Sequence, residues 1–296
     1  MSIVKNILFR ANASSSIGTG HIMRDLVLAK QYPNSNIFFA TQNLAGNLNH
    51  KIIESGYELV DLKSNDLNEL IQVVKTYKID KVIIDNYAID YKFEKALKKS
   101  RSVELMVLDD TYERHYCDVL LNHNISADES RYKDLVPKWC ELRCGSKYTL
   151  LRDEFLKEKE LKREKLYDFF VAMGGADTAN LNIEILKLLP KEKKVALVTT
   201  NANKNLKNLK EYVKNKTNII LFINSNEIAK LINQSRLAII TPSVTVNEVY
   251  FLRVSFIAIK TAGNQEDIFN FLRQKGYITL DYKEIDLLKY KVKEVV

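Results

Sequence analysis

The sequence has 296 residues, which at about 150 residues per domain predicts two domains. Hydrophobic residues make up 46% and charged residues 28%, as in globular proteins, so a disordered chain is excluded. The net charge of +8 favours anionic partners, but 34 of the 45 cationic residues are Lys, so we expect no nucleic-acid binding.

Several other classes of protein are also excluded. No apolar run approaches the roughly 18 residues of a membrane span, so none is expected. Residues 1–5 lead into an apolar stretch too short for a signal peptide, which predicts a cytoplasmic protein. Three Cys and four His lack CxxC and HExxH spacing, so we expect no disulfide framework and no metal site. We further expect a monomer without a cofactor.

Short apolar runs alternate with helix-length stretches such as residues 20–32 and 67–77. In the first half, strands are predicted at residues 7–9, 37–39, 82–84, 105–108 and 119–121. In the second half, they are predicted at residues 169–172, 195–198, 219–222, 237–240 and 256–259. Apolar strands that alternate with helices indicate an α/β fold with parallel sheets covered on both faces.

A charged stretch separates the two series of strands. The alternating charges of residues 157–166 predict an exposed helical linker. The N-terminal domain is then expected at residues 1–156 and the C-terminal domain at residues 167–296. We expect two Rossmann-like domains that face each other across a cleft, with ligands beyond the carboxyl ends of the strands.

The first informative segment, residues 9–24, follows the first predicted strand. Its loop of Ser and Gly residues leads into a helix near Gly20. Gly18 and Gly20 allow a ligand to approach the backbone, and a helix start offers free N–H donors. The third Gly of a GxGxxG pattern is replaced by Met23, and no Walker A ending follows. His21, in the first helical turn, is the candidate base that accepts a proton; an ordinary strand-to-helix turn is the alternative.

The second segment, residues 170–181, opens the second domain in the equivalent position. Gly174, Gly175 and Ala176 form a turn before a helix that Asp177 or Thr178 is expected to cap. Adjacent glycines before a helix start are typical of phosphate sites. A capped turn without a ligand is the alternative.

The third segment, residues 240–249, again passes from a strand end through hydroxyl residues into a helix. Glu248 could meet a ribose diol or merely complement the helix dipole, and the sequence leaves both open. Asn264 and Gln265 repeat the pattern one strand later.

Two acidic segments follow strands of the first domain. Tyr87, after Asp85, is a candidate for hydrogen bonding to a sugar hydroxyl or an amide. Asp109 and Asp110 could bind a metal or act as acid and base, but we favour capping of the turn after the strand.

Together these motifs give a family resemblance that spans nearly the whole chain. They are Ile17-Gly18-x-Gly20-His21-x-x-Arg24, Asp85-x-Tyr87, Asp109-Asp110, Cys144-Gly145-x-x-Tyr148-x-Leu150-Leu151-Arg152-x-Glu154-Phe155, Met173-Gly174-Gly175-x-Asp177 and Asn247-Glu248. The chain resembles the UDP-sugar hydrolases of pseudaminic acid biosynthesis, which are similar to the GT-B-fold peptidoglycan N-acetylglucosaminyltransferase.

The resemblance implies hydrolysis of UDP-2,4-diacetamido-2,4,6-trideoxy-β-L-altropyranose to UDP and the free sugar. Water would attack the anomeric carbon with inversion, His21 would be the base, and no metal is required. The second domain would hold UDP, with Glu248 at the ribose, and Tyr87 would lie beside the sugar. The candidate substrate-binding residues are Asn12, Gly18, Gly20, Arg24, Tyr87, Gly174, Gly175, Ala176, Ser243, Asn247, Glu248, Asn264 and Gln265.

The chain departs from the family pattern at two places. Asn12 stands where the family usually has Asp, and Thr241-Pro242-Ser243 replaces a more Gly-rich turn. A carboxylate at position 12 could orient His21, so we expect Asn12 to pair with His21 more weakly or merely to close the turn. The alternatives to a hydrolase are a GT-B glycosyltransferase and a non-catalytic nucleotide-sugar binding protein.

Overall fold

The computed structural model describes residues 4–295; residues 1–3 and 296, at the outer ends of the two predicted domains, lie outside the described residues. The chain divides into two compact units, Met1–Leu150 and Leu151–Val296. Each unit is a parallel β-sheet with helices on both of its faces, so the predicted α/β fold class is confirmed.

The first unit contains seven strands and four α-helices among its described residues. In chain order they are β1 (Lys5–Ala11), α1 (Gly20–Ala29), β2 (Ser35–Gln42), α2 (Asn49–Glu54), β3 (Glu58–Leu62), α3 (Leu67–Thr76), β4 (Lys81–Asp85), α4 (Tyr91–Ser100), β5 (Glu104–Leu108), β6 (Val119–Asn122) and β7 (Glu141–Cys144). Short 3₁₀ helices cover Glu129–Tyr132 and Ser146–Tyr148.

The second unit repeats this scheme. In chain order its elements are α5 (Asp153–Lys159), β8 (Tyr167–Ala172), α6 (Asn182–Leu188), β9 (Val195–Thr199), α7 (Leu206–Val213), β10 (Ile219–Ile223), α8 (Ile228–Asn233), β11 (Ser235–Ile240), α9 (Val244–Leu252), β12 (Ser255–Lys260), α10 (Glu266–Gln274), β13 (Ile278–Asp281) and α11 (Leu288–Lys291). Its 3₁₀ helices are Gly263–Gln265, Tyr282–Leu287 and Val292–Glu294.

Alternate residues of each buried strand enter opposite cores. In β4, Val82 and Ile84 pack with residues of α3 and α4, whereas Ile83 packs with residues of α1 and α2. Side chains of a strand alternate between the two faces of a sheet, so a strand covered on both faces is apolar throughout. This is why the central strands were visible in the sequence as continuous apolar runs.

All ten predicted strands are present, and the three that sequence analysis missed are β3, β7 and β13. The strand orders are β3-β2-β1-β4-β5-β6-β7 and β10-β9-β8-β11-β12-β13, so each missed strand lies at an edge. These three edge strands are partly exposed and lack a continuous apolar run, whereas the fourth edge strand, β10, has one and was predicted. The pattern of the three missed strands is therefore weaker in the sequence.

The residues around the predicted linker begin the second unit. Helix α5 contacts α8 and α9, and its Phe155 and Glu158 are buried. Residues 161–166 that follow form no helix or strand. The packing of Phe155 explains why the unit begins at Leu151, before the expected boundary at residue 156, and the role of residues 157–166 as a linker stays a prediction.

Candidate active site

The candidate site residues of the first unit lie at the point where the strand order of the sheet reverses. Strand β1 lies between β2 and β4, and in the β1–β4 register Ala11 is opposite Asp85. The loop from β1 to α1 and the residues after β4 therefore leave the same carboxyl edge side by side. In open α/β sheets this reversal point is the usual place for a ligand.

His21 is held there by a fully buried carboxylate. His21 Nδ1 lies 2.7 Å from Asp85 Oδ1, and Asp85 is 0% exposed. Arg24 Nε donates to Asp85 Oδ2 at 2.5 Å, and Arg24 Nη2 also contacts Asp85 Oδ1. Burial would raise the pKa of Asp85, but the ion pair with Arg24 and the bond from His21 outweigh burial and lower that pKa below its usual range.

The ionised Asp85 sets the tautomer of the His21 ring. Arg24 Nη2 is also 3.2 Å from His21 Nδ1, but an arginine N–H can only donate, so Nδ1 cannot serve both neighbours with one proton. The shorter contact to the negative carboxylate places the proton on Nδ1, where it donates to Asp85. In the neutral imidazole Nε2 then carries no proton and can act as a base.

A second carboxylate, that of Asp110, links Arg24 to Tyr87 and so closes this network into a ring of five side chains. Asp110 Oδ2 accepts from Arg24 Nη1 at 3.1 Å, and Asp110 Oδ1 accepts from the Tyr87 hydroxyl at 2.6 Å. The Tyr87 ring meets the His21 ring edge-on, with centroids 4.8 Å apart and planes at 78°. Burial and the neighbouring Asp110 raise the pKa of the Tyr87 hydroxyl, so this phenol remains a donor. His21, Asp85, Arg24, Asp110 and Tyr87 thus fix one another.

Two further ionisable groups near this network are buried without hydrogen-bond partners among residues 4–295. Asp25 is 0% exposed, and neither of its carboxyl oxygens has a hydrogen-bond partner among residues 4–295. Burial and the nearby Asp85 raise the pKa of Asp25 well above its usual range. His123 is equally unpartnered within the described chain, and burial together with Arg24 lowers its pKa to about 4. Burial therefore disfavours the charged form of both side chains, and His123 is neutral at pH 7.

The expected pairing of Asn12 with His21 is wrong. Asn12 Oδ1 accepts from Arg10 Nη1 at 3.0 Å and from the backbone N–H of Gln42 at 2.9 Å, and Asn12 Nδ2 donates to Gln42 Oε1 at 2.8 Å. The buried Arg10 guanidinium thus occupies Asn12 Oδ1, the atom that was expected to accept from the His21 ring. Asp85 supplies the carboxylate for His21 instead.

Asp109 and Asp110 have different surroundings. Asp109 accepts from the backbone N–H groups of Thr111 and Tyr112 and from the Tyr132 hydroxyl, which agrees with the expected turn role. Asp110 instead belongs to the ring around Arg24, a role that sequence analysis missed. Among residues 4–295, no group of three or more His, Cys, Asp or Glu side chains is arranged to hold a metal ion.

The loop before α1 has the open backbone that the glycines predicted. Gly18 has a φ of +88° and exchanges backbone hydrogen bonds with Ser14, whose hydroxyl accepts from the N–H groups of Ser16 and Ile17. Gly20 begins α1, and nothing lies within 4 Å of the position that a Cβ of Gly20 would take. Helix α1 therefore starts beside free space at the same edge as His21.

In the second unit the loop between β8 and α6 takes the equivalent place. Gly174 has a φ of +71°, and a Cβ on Gly175 would lie 2.9 Å from Thr200 Cγ2, so both positions favour glycine. Ala176 is half-buried. Asp177 accepts from the N–H groups of Leu181 and Asn182, so Asp177 rather than Thr178 satisfies the start of α6. These two donors are occupied, while the glycine loop is exposed.

Glu248 on α9 is held by an arginine from the start of the unit. Arg152 Nη2 donates to Glu248 Oε1 at 3.0 Å, and Arg152 also pairs with Glu154 at 2.7 Å. Burial raises the pKa of Glu248 although Arg152 opposes the shift. Asn247 is 1% exposed, and Ser243 Oγ lies 3.1 Å from Thr241 Oγ1. Sequence analysis quoted Arg152 as a motif residue but missed this pairing.

Asn264 and Gln265 form part of a 3₁₀ helix after β12. Gln265 Oε1 accepts from the backbone N–H of Thr261 at 2.8 Å, so this side chain ties the turn together. Asn264 is exposed and carries no such bond to the turn among the described contacts. Of the two, Asn264 has the side chain that is free to meet a ligand.

Solved structures of other proteins share the fold of this chain. No family model matches the sequence. Among solved structures, MurG of Acinetobacter baumannii is similar with a TM-score of 0.67 at 13% identity, covering 98% of this chain and 91% of that one. Anabaena HepE, solved in complex with UDP and glucose, is similar with a TM-score of 0.61 at 11% identity, covering 98% of this chain and 89% of that one. The fold is therefore GT-B-like, as expected from the sequence.

A curated relative is much closer in sequence. The UDP-2,4-diacetamido-2,4,6-trideoxy-β-L-altropyranose hydrolase of Campylobacter jejuni is 45% identical over 277 residues, which are 94% of this chain and 99% of that protein. An uncharacterised protein of Methanocaldococcus jannaschii is 27% identical over 267 residues, which are 84% of this chain and 54% of that protein. The chain belongs to the family of UDP-2,4-diacetamido-2,4,6-trideoxy-β-L-altropyranose hydrolases.

Proposed function

We propose that this chain hydrolyses UDP-2,4-diacetamido-2,4,6-trideoxy-β-L-altropyranose to UDP and the free sugar, with His21 as the general base. Membership of the hydrolase family supports the reaction. The observation that carries the assignment of the base is the 2.7 Å contact between His21 Nδ1 and the buried, ionised Asp85.

The proposed step is a single displacement at the anomeric carbon. His21 Nε2 takes a proton from water, the water oxygen bonds to the anomeric carbon, and the bond from that carbon to the phosphate oxygen breaks. The bond's electron pair leaves with UDP, and the configuration of the anomeric carbon inverts. Asp85 stabilises the imidazolium that forms, because its negative charge is already in contact with Nδ1.

Arg24 and Tyr87 keep the base in place. Arg24 lies against both Asp85 and Asp110, so its positive charge keeps the two carboxylates together. The edge-on Tyr87 ring restricts rotation of the imidazole. Of the residues expected to bind substrate, Tyr87 also has an exposed face that a sugar can meet.

We assign the nucleotide to the second unit. Its glycine loop at Gly174 and Gly175 is exposed and can accept a diphosphate, and Glu248, in the middle of α9, has a carboxylate for the ribose hydroxyls. Ser243, Asn247 and Asn264 are further candidates near the same strand ends. Arg152 would orient Glu248 through their 3.0 Å bond.

Three expectations from the sequence stay predictions: a monomeric state, a cytoplasmic location and independence from metal ions. None of the helices formed by residues 4–295 has the length and hydropathy needed to cross a membrane.

The reaction is tested by assaying a panel of UDP-sugars for release of UDP and free sugar with no acceptor present. Rapid hydrolysis of the diacetamido-trideoxy substrate is expected. Turnover only after an acceptor sugar or lipid is added would indicate the glycosyltransferase alternative. Binding of UDP-sugars without any turnover would indicate a non-catalytic binding protein.

A further inference from the structure

Two cysteines of the first unit have their sulfur atoms in contact. Cys117 Sγ and Cys140 Sγ are 3.6 Å apart, although the two residues are 23 positions apart in the sequence. Both are free thiols, so this contact is not a disulfide bond. The proposed displacement at the anomeric carbon uses neither of them. Two thiols in contact can carry out thiol–disulfide exchange, because the second sulfur can attack any disulfide that the first one forms.

The pairing of two neighbouring strands brings these thiols together. Cys117 lies just before β6 and Cys140 just before β7. The two strands are parallel, with Val119 opposite Glu141, and the backbone N–H of Glu141 donates to the carbonyl oxygen of Asp118 at 2.8 Å. The hydrogen bonds of the sheet therefore hold both cysteines at the same end of this pair of strands.

Only a small movement separates this contact from a covalent bond. The sulfurs of a disulfide are about 2 Å apart, so each sulfur would have to move by less than about 1 Å. β7 is the edge strand of its sheet, and residues 133–140 before it form no helix or strand. Trp139, next to Cys140, is 61% exposed. Cys140 can therefore shift toward Cys117 while β6 keeps its place in the sheet.

The two thiols differ in exposure and in acidity. Cys117 is 1% exposed, whereas Cys140 is only partly buried. The hydrogen bond between the two sulfurs lowers the pKa of Cys140, and the same bond together with burial raises the pKa of Cys117. A thiolate, rather than a thiol, is the nucleophile in disulfide exchange. Cys140 is therefore the thiol that reacts first, and Cys117 the one that reacts second.

We propose that Cys117 and Cys140 form a reversible disulfide by exchange with a low-molecular-weight disulfide such as oxidised glutathione. The Cys140 thiolate bonds to one sulfur of that molecule, whose S–S bond breaks and releases a first glutathione thiolate. Cys117 then loses its proton to water and bonds to the Cys140 sulfur, which releases the second glutathione thiolate. The two cysteines lose two electrons, and these reduce the glutathione disulfide to two thiols.

This disulfide lies away from the reacting groups. Both cysteines precede their strands, at the amino edge of the first sheet, whereas His21 lies at the carboxyl edge. The bond would close the segment between the two cysteines into a loop and tie β6 to β7. Oxidation should therefore leave kcat unchanged.

The test exposes the folded protein to oxidised glutathione, then alkylates the remaining thiols in denaturant and counts them by mass spectrometry. The wild type should retain one of its three thiols, and peptide mapping should find Cys117 joined to Cys140. Dithiothreitol should restore all three thiols. Cys144→Ser is the matched control, because Cys144 lies at the far end of β7 and burial raises its pKa to about 11. C144S should form the same bond and retain no thiol.

Two further variants test the order of the steps. Cys117→Ala should stop with glutathione attached to Cys140, because the second thiol is missing. Cys140→Ser should gain no glutathione at Cys117, because the Cys117 thiol is buried. The thiol count of the wild type needs neither variant, so the test stays decisive if C117A does not fold, which circular dichroism will show.

Three free thiols in the wild type after oxidation, or glutathione that stays on Cys140, would overturn the proposal. A disulfide that includes Cys144 would overturn it as well. A loss of kcat on oxidation that dithiothreitol reverses would contradict the separation of this thiol pair from the site of hydrolysis. The thiol count does not depend on any turnover of a UDP-sugar, so its outcome leaves the proposed function standing.

Discussion

The two sheets share the order of six strands, but the loops at their carboxyl edges differ in the charges that they carry. In the first unit, Asp85, Arg24 and Asp110 form a network of largely buried charges around His21. In the second unit, the equivalent loop has exposed Gly174 and Gly175, and the Asp177 carboxylate accepts hydrogen bonds from two backbone N–H groups. A network of fixed charges can hold a base and stabilise a change in its charge, whereas an open glycine loop can accept a phosphate. The difference predicts that mutations in the two places separate chemistry from nucleotide binding.

The largest effect is expected from His21→Ala. Removing a general base should lower kcat by about 10²–10⁴-fold, because water must then lose its proton unaided. The dissociation constant for UDP, measured by calorimetry, should stay nearly the same because UDP is assigned to the second unit. An equal loss of UDP affinity would make His21 a phosphate ligand and remove the contrast between the units. The exposed His50→Ala is the matched control.

Asp85→Asn should lower kcat by about 10²-fold, again with little change in UDP affinity. An amide at this position can present its NH₂ group to Nδ1 and so favour the wrong tautomer of His21, and it cannot stabilise the imidazolium. Asp110→Asn is the matched control, since Asp110 contacts Arg24 and Tyr87 rather than His21. A loss of kcat in D110N as large as in D85N would show that the ring acts as one structural unit without a special role for Asp85.

Glu248→Ala should weaken UDP binding by about 1–3 kcal/mol, the range for a charge-assisted hydrogen bond left unmade. The turnover number at saturating substrate should change less, because a ribose contact is similar in the ground state and the transition state. Glu154→Ala removes the other carboxylate partner of Arg152. This variant is the control for effects that arise only because Arg152 has lost an ion pair. A large fall in saturated turnover with unaltered UDP binding would place Glu248 in the chemistry.

The buried charges of the first unit should also make its stability depend on pH. The pKa of His115 is raised to about 9 from an ordinary 6.5, so its stabilisation is complete below pH 6.5 and is lost as pH rises through 9. Between pH 7 and pH 9 this loss amounts to about 2 kcal/mol of unfolding free energy. Urea unfolding followed by fluorescence reports on this unit, because the single Trp of the sequence is Trp139. His115→Gln should abolish most of the dependence; an equal slope in H115Q would assign it to other groups.

The pattern of apolar residues in the sequence was sufficient to predict the central strands. The loop after the first strand was sufficient to predict that His21 lies in the first turn of a helix. The edge strands β3, β7 and β13 were missed because these three strands have no continuous apolar run, unlike the edge strand β10. Asp85 was visible as a strand-end acid, but its contact with His21 depends on β4 lying next to β1, which linear spacing does not show.

Two long-range pairings could not be anticipated for a similar reason. Asn12 was expected to reach His21 because both follow β1, yet the buried Arg10 and the neighbouring Gln42 occupy its polar atoms. Arg152 and Glu248 are 96 positions apart and meet only because residues around α5 pack on the second unit. Such contacts follow from how elements are arranged in three dimensions rather than from local patterns.

The proposed attack of a His21-activated water at the anomeric carbon is tested most directly by hydrolysis in H₂¹⁸O. Mass spectrometry of the products should find ¹⁸O in the free sugar and none in UDP, because the bond from the anomeric carbon to oxygen is the one that breaks. Proton NMR at early times should show the inverted anomer. Incorporation of ¹⁸O into UDP would mean that water attacks phosphorus, and the assignment of His21 as the base for sugar displacement would be contradicted.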